Sequence, residues 1–79
     1  MISLSYTPMC ALSPGECGTV SDITLGGAMR RRLQDIGLIP GTSVRCVGVS
    51  PLGDPRAYEI RGAVIALRND DAEAVHITR

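Results

Sequence analysis

Seventy-nine residues, with eight Arg, no Lys and eight acidic residues that bring the formal charge to zero, make one domain at most. They lack the basic excess that a dedicated nucleic-acid binder concentrates on one face. The apolar supply is six Val, seven Ile and seven Leu with no Phe or Trp, enough for a folded core and rich in the β-branched residues that favour strands.

The first 15 residues carry no charge, but Pro8 and Pro14 break them, so they are not expected to span a bilayer. They also lack the basic start and continuous apolar run of a signal peptide, and the expected location is the cytoplasm. Ile2, Leu4 and Tyr6 alternate with Ser3 and Ser5, the period of a short half-buried strand. Ser13-Pro14-Gly15 fits a turn, and residues 18–23 read as a strand with Val20 inward. Gly26-Gly27 ends that pattern.

From Ala28 the period changes to that of a helix. Met29, Leu33 and Ile36 fall at i, i+4 and i+7 and form one narrow apolar stripe. Gly37 supplies the left-handed residue that stops the helix; with Gly37 at C′, Leu33 and Leu38 are the pair that touches in a Schellman motif. Pro40-Gly41 then occupies the centre of a type II turn.

Strands come next at residues 44–49, at 57–61 with Tyr58 and Ile60 inward, and at 63–68 with Ile65 and Leu67 inward. Arg61-Gly62 makes the tight connection between the last two. Asn69-Asp70-Asp71 caps a single helical turn, and residues 74–78 close the chain with Val75 and Ile77 inward. Five or six short strands and one short helix predict a mostly β fold, a small, strongly bent barrel that hides its edges by closure.

The residues that could carry chemistry are few. His76 is the only histidine and lies on the outward side of its strand. No Ser or Cys stands in a nucleophile elbow, no Gly-rich loop precedes a helix with a phosphate-binding Lys, and no acid–base pair can be assembled, so no enzymatic role is expected. Cys10, Cys17, Cys46 and His76 could in principle supply four zinc ligands, but three Cys without a CxxC pair lack the close ligand pairs of structural sites. Cys46 reads instead as a small core hydrophobe and Cys17 as a strand residue. Neither a metal site nor a cofactor is expected.

Arg30-Arg31-Arg32 fans over about 200° of the helix. A solvated face is the plain reading, with Arg32 best placed to lay its stem along the core edge, Arg31 nearly opposite and Arg30 on the far side. "SPLGDPRAY" (residues 50–58) is more informative. Pro51 and Pro55 fix two φ angles, Gly53 permits a positive one, and Leu52 falls outside the alternation of both flanking strands. Leu52 either folds back on the barrel end or anchors a partner, and the residues weigh these evenly.

Four stretches together resemble one family: Leu12, Gly15, Gly18 and Val20 in the order "L..G..G.V", then "RRLQDIGLIPG", "SPLGDPRAYEIRG" and "IALRNDDAEAVHI". They look like the FeoA family, over about residues 9–78. The resemblance implies an SH3-like barrel with one short inserted helix over residues 9–79, and residues 1–8 as an N-terminal extension that adds a strand. It also implies a cytoplasmic accessory protein of ferrous iron transport, with iron as cargo.

The implied partner is the cytoplasmic GTP-binding region of the FeoB membrane transporter, so contact with the membrane would be indirect. The family pattern marks Leu33, Gly37, Leu38, Pro40 and Gly41, then Pro51, Leu52, Gly53, Asp54 and Pro55. With Arg32 from the helix, the expected partner-binding set is Arg32, Leu33, Gly37, Leu38, Pro51, Leu52, Gly53, Asp54 and Pro55. Leu38 and Leu52 are expected as two apolar lips around a groove. Two other readings stay open: an SH3-like interaction module of a metal-dependent transcription regulator, and a small RNA-binding barrel, which zero charge and two Tyr as the only aromatics disfavour.

Overall fold

A computed structural model describes residues 7–79. The strand expected from Ile2, Leu4 and Tyr6 lies outside the described residues. The chain forms β1 (Thr7–Pro8), a 3-10 turn (Met9–Ala11), β2 (Cys17–Ile23), α1 (Gly27–Asp35), β3 (Ser43–Val49), β4 (Arg56–Ile60), β5 (Ala63–Leu67), α2 (Asn69–Glu73) and β6 (Val75–Thr78). The strands make one antiparallel sheet in the order β1-β6-β2-β3-β4-β5.

The inward residues named from alternation lie in or against the core. Val20, Tyr58, Ile60, Val75 and Ile77 are all buried, and Ile65 and Leu67 pack against them from a half-buried position. Two register shifts bend the sheet, one between Val20 and Asp22 and one between Cys46 and Gly48. Each is an extra residue that locally raises the twist. Ser21 Oγ, at the first of them, donates to the His76 carbonyl at 3.0 Å.

The bend curls the sheet around Met9, Leu12 and Leu33 without closing it. Among the described residues β5 pairs only with β4 and β1 only with β6, so the expected closure does not occur. Within the described part of β1, Pro8 removes a ladder donor.

The helix stop matches its sequence closely. Gly37 takes φ +107°, its N–H donates to the Gln34 carbonyl at 2.9 Å, and the Leu38 N–H donates to the Leu33 carbonyl at 3.1 Å. These are the two bonds of a Schellman motif. Pro40-Gly41 then reverses the chain, with the Thr42 N–H on the Ile39 carbonyl at 3.0 Å. The turn is sealed onto β2 by Gly41 N–H to the Val20 carbonyl and Val20 N–H to the Thr42 carbonyl, both 2.8 Å.

Candidate interaction surface

The loop between β3 and β4 is short, stiff and pinned at both ends. Pro51 and Pro55 fix their own φ angles, and the Ser50 N–H donates across the base to the Pro55 carbonyl at 3.1 Å. The Gly53 N–H closes a turn on the Ser50 carbonyl at 2.8 Å. Asn69, at the start of α2, holds the far side: its Nδ2 donates to the Gly53 carbonyl at 2.9 Å and its backbone N–H to Asp54 Oδ1 at 2.9 Å.

Asp54 therefore caps α2 from 15 residues away. The expectation that Asn69-Asp70-Asp71 cap that turn themselves is corrected, since Arg68 is the cap position and no side chain of the helix's own entry serves it. Asn69 gives its amide to the loop instead. At the tip of this latched loop Leu52 is 93% exposed. Of the two placements left open for it, the outward one is observed.

Leu38 is fully buried and Leu33 nearly so, and Gly37 is buried between them. Leu38 is thus no lip, and a groove bounded by Leu38 and Leu52 does not form. The Schellman turn is the cause, because the hydrophobic contact that accompanies it turns the C″ side chain inward. Gly37 has a second duty there: a Cβ at this position would stand 2.6 Å from Arg61 Cδ and 3.3 Å from Ile60 Cγ2.

The triple Arg is corrected at Arg30 alone. Arg30 is the tethered one, its Nη1 donating to the Ile23 carbonyl at 2.6 Å and its Nη2 3.9 Å from Asp22 Oδ1. Arg32 is exposed. A helical wheel could not show this, because the approach to α1 carries the Ile23 and Leu25 carbonyls under Arg30.

Arg32 instead stands on the rim of a groove of about 350 Å³ between α1 and β5. Met29, Leu33 and Ile36 of the helix stripe form one wall, and Ile65 and Leu67 of β5 the other. Arg68 and Asp71 complete the rim. A larger hollow of about 640 Å³ opens at the opposite end of the β4–β5 hairpin, but there Arg45 is already paired with Glu59 at 2.9 Å.

The cysteines sit apart in character. Cys46 is buried with its thiol on the Gly48 carbonyl at 3.6 Å, Cys17 is exposed and Cys10 is half-buried. Burial, and then the negative charge of Glu73, push the Cys10 thiol above its ordinary value. Among the described residues no three of His, Cys, Asp and Glu stand together in a way that could hold a metal ion. Tyr58 is wholly enclosed, its hydroxyl donating to the Met9 carbonyl at 3.5 Å, and burial raises its phenol far above the usual tyrosine value. Among the described residues no helix is long and apolar enough to cross a membrane.

The model of the FeoA domain matches residues 7–79. A fusion of Fe(2+) transport protein A with the Fe(2+) transporter FeoB from Porphyromonas gingivalis is 27% identical over 66 residues, 84% of this chain; the match spans 8% of that protein's length. The solution structure of FeoA from Chlorobium tepidum superposes with a TM-score of 0.85 at 29% identity, covering 91% of this chain and 69% of that one. FeoA of Stenotrophomonas maltophilia, solved with zinc and described as an SH3 domain protein suggested to activate ferrous iron transport, gives a TM-score of 0.77 at 27% identity, over 87% and 86% of the two chains. The open, bent barrel seen here is thus SH3-like.

Proposed function

This chain belongs to the FeoA domain family, and from that premise we propose that it is a non-enzymatic accessory protein of ferrous iron uptake. It acts in the cytoplasm by binding the cytoplasmic, GTP-binding region of a FeoB-type transporter. The observation that carries the reading is Leu52, held 93% exposed on a loop with both ends latched. A hairpin tip tolerates polar residues, and an apolar one displayed on a rigid backbone loses little entropy when a partner covers it. A few residues seated in well-packed, desolvated pockets contribute most of an interface's energy.

The fused relative supports the choice of partner. Joining two modules in one chain holds them at high effective concentration; separate chains reach the same proximity by binding. Iron enters this reading as the transporter's cargo, with no resident metal and no cofactor in this chain. Calorimetric titration of the full chain against the purified cytoplasmic region of the transporter, with and without guanine nucleotide, tests it. Saturable binding in at least one nucleotide state is expected, and no heat in either state contradicts the reading.

A further inference from the structure

The two edges of the sheet are built differently. The described part of β1 contains Pro8, and a Pro blunts an edge. β5 runs Ala63-Val64-Ile65-Ala66-Leu67, with no charge, no Pro and no Gly, and Val64 is 64% exposed. Natural edges of this length normally carry a charge, a Pro or a bulge against stray pairing. β5 carries none.

The hairpin register fixes which groups are free. The two-residue connection Arg61-Gly62 has positive φ at both positions, +53° and +85°, the signature of a type I′ turn. Such a turn closes on a hydrogen-bonded pair, here Ile60 with Ala63. Alternation then assigns the amide groups of Ala63, Ile65 and Leu67 to β4. The N–H and C=O of Val64 and Ala66 point away from the sheet.

The same edge borders the groove under α1. Ile65 and Leu67 alternate with the outward-facing backbone groups and turn their side chains to the groove floor with Met29 and Ile36. Arg32 and Arg68 stand on the rim. Among the described residues neither has an ion-pair partner, the three salt bridges being made by Arg30, Arg45 and Arg79. One carboxylate, Asp71, shares the rim, so the local balance is one positive charge in excess. At its C-terminal end β5 is registered with Arg56, where the Leu52 loop ends, and runs into Asn69, which latches that loop.

We infer that the edge of β5, unpaired among the described residues, receives an extended segment of the partner as an additional strand. Backbone groups of the segment bond to Val64 and Ala66, an apolar side chain enters the groove between α1 and β5, and a carboxylate sits between Arg32 and Arg68. Strand addition draws affinity from main-chain bonds and specificity from alternate side chains in pockets, and the unneutralised guanidinium pair selects an acidic segment over a basic one. The inference rests on the proposed partnership and adds a second contact beside Leu52.

The test is hydrogen exchange by NMR on the ¹⁵N-labelled chain, alone and with the transporter's cytoplasmic region. The Val64 and Ala66 amides exchange freely alone and are expected to slow at least about tenfold in the complex, while those of Ile65 and Leu67, already bonded to β4, change little. Ala66→Pro removes one outward donor and no bond to β4. It should leave the melting temperature near that of the parent and weaken binding about tenfold, one factor of ten in Kd. Arg32→Glu and Arg68→Glu should each weaken binding by roughly threefold to fivefold, the scale of an exposed pair, and reduce its salt dependence. Binding that leaves the Val64 and Ala66 amides unprotected overturns strand addition while the partnership stands. No binding at all overturns both.

Discussion

Two stretches of this chain use the same vocabulary to opposite ends. Residues 37–41 and residues 51–55 each set a Leu among Gly and Pro, and each is closed by tight turn bonds. Yet Leu38 is fully buried and Leu52 is 93% exposed. Rigid punctuation therefore says that a position is fixed and leaves open which way the side chain faces. Neighbouring elements set the direction: the helix stop is sealed onto Val20 of β2, whereas the β3–β4 loop is tied to Asn69 at its side and leaves its tip uncovered.

The contrast can be broken most forcefully at its buried half. Leu38→Ala should cost about 2–5 kcal/mol, the range for a fully buried Leu, read from urea unfolding. Gly37→Val should cost about 2 kcal/mol, because a β-branched residue is strained at φ +107° and its Cβ would press on Arg61. An unchanged midpoint for either would mean that the helix stop does not hold the core.

Alkaline pH attacks the same half. Both raised groups, Cys10 and Tyr58, favour their neutral forms in the folded chain. Their contribution is whole below the ordinary values of 9.0 and 10.0, and it is lost as pH rises beyond them. Stability should be flat with respect to these two groups from pH 6 to 8. It should then fall above pH 10 by up to about 1.4 kcal/mol per unit from Tyr58. Tyr58→Phe should remove the part of the fall that begins near pH 10. A fall of equal steepness in that variant would assign it elsewhere.

The loop's own latch is a smaller matter. Asp54→Ala loses the bond to the first amide of α2 and should cost about 0.5–1 kcal/mol, as a partly exposed cap does. The proposed partner should bind more weakly as well, because a looser loop loses more entropy on docking. Stability loss without any change in binding would separate the latch from display.

What the sequence revealed was local. The Schellman bonds, the Pro-Gly turn, the Arg61-Gly62 connection and the inward strand residues are settled within five or six positions, where turn chemistry and alternation act. What it concealed was set by chain segments far apart. Asp54 reaches Asn69 across 15 residues, so a loop acid reads as a turn former when it is a helix cap. Arg30 outranks Arg32 because the Ile23 and Leu25 carbonyls lie under it. Among the described residues the sheet stays open between β5 and β1, a global condition that no strand pattern encodes. Within the candidate surface, Leu52 was legible as an anomaly of the strand alternation, while the groove of Met29, Ile65 and Leu67 gave no signal beyond core-like periodicity.

Display of Leu52 for a partner is the central claim, and one paired measurement tests it most directly. Leu52→Ala should change the folding free energy by no more than about 0.5 kcal/mol, as a surface substitution does. The same variant should weaken affinity for the transporter's cytoplasmic region by about 1–2 kcal/mol, as loss of an interface anchor does. A large loss of stability, or an affinity equal to that of the parent chain, would contradict the claim and make the loop structural.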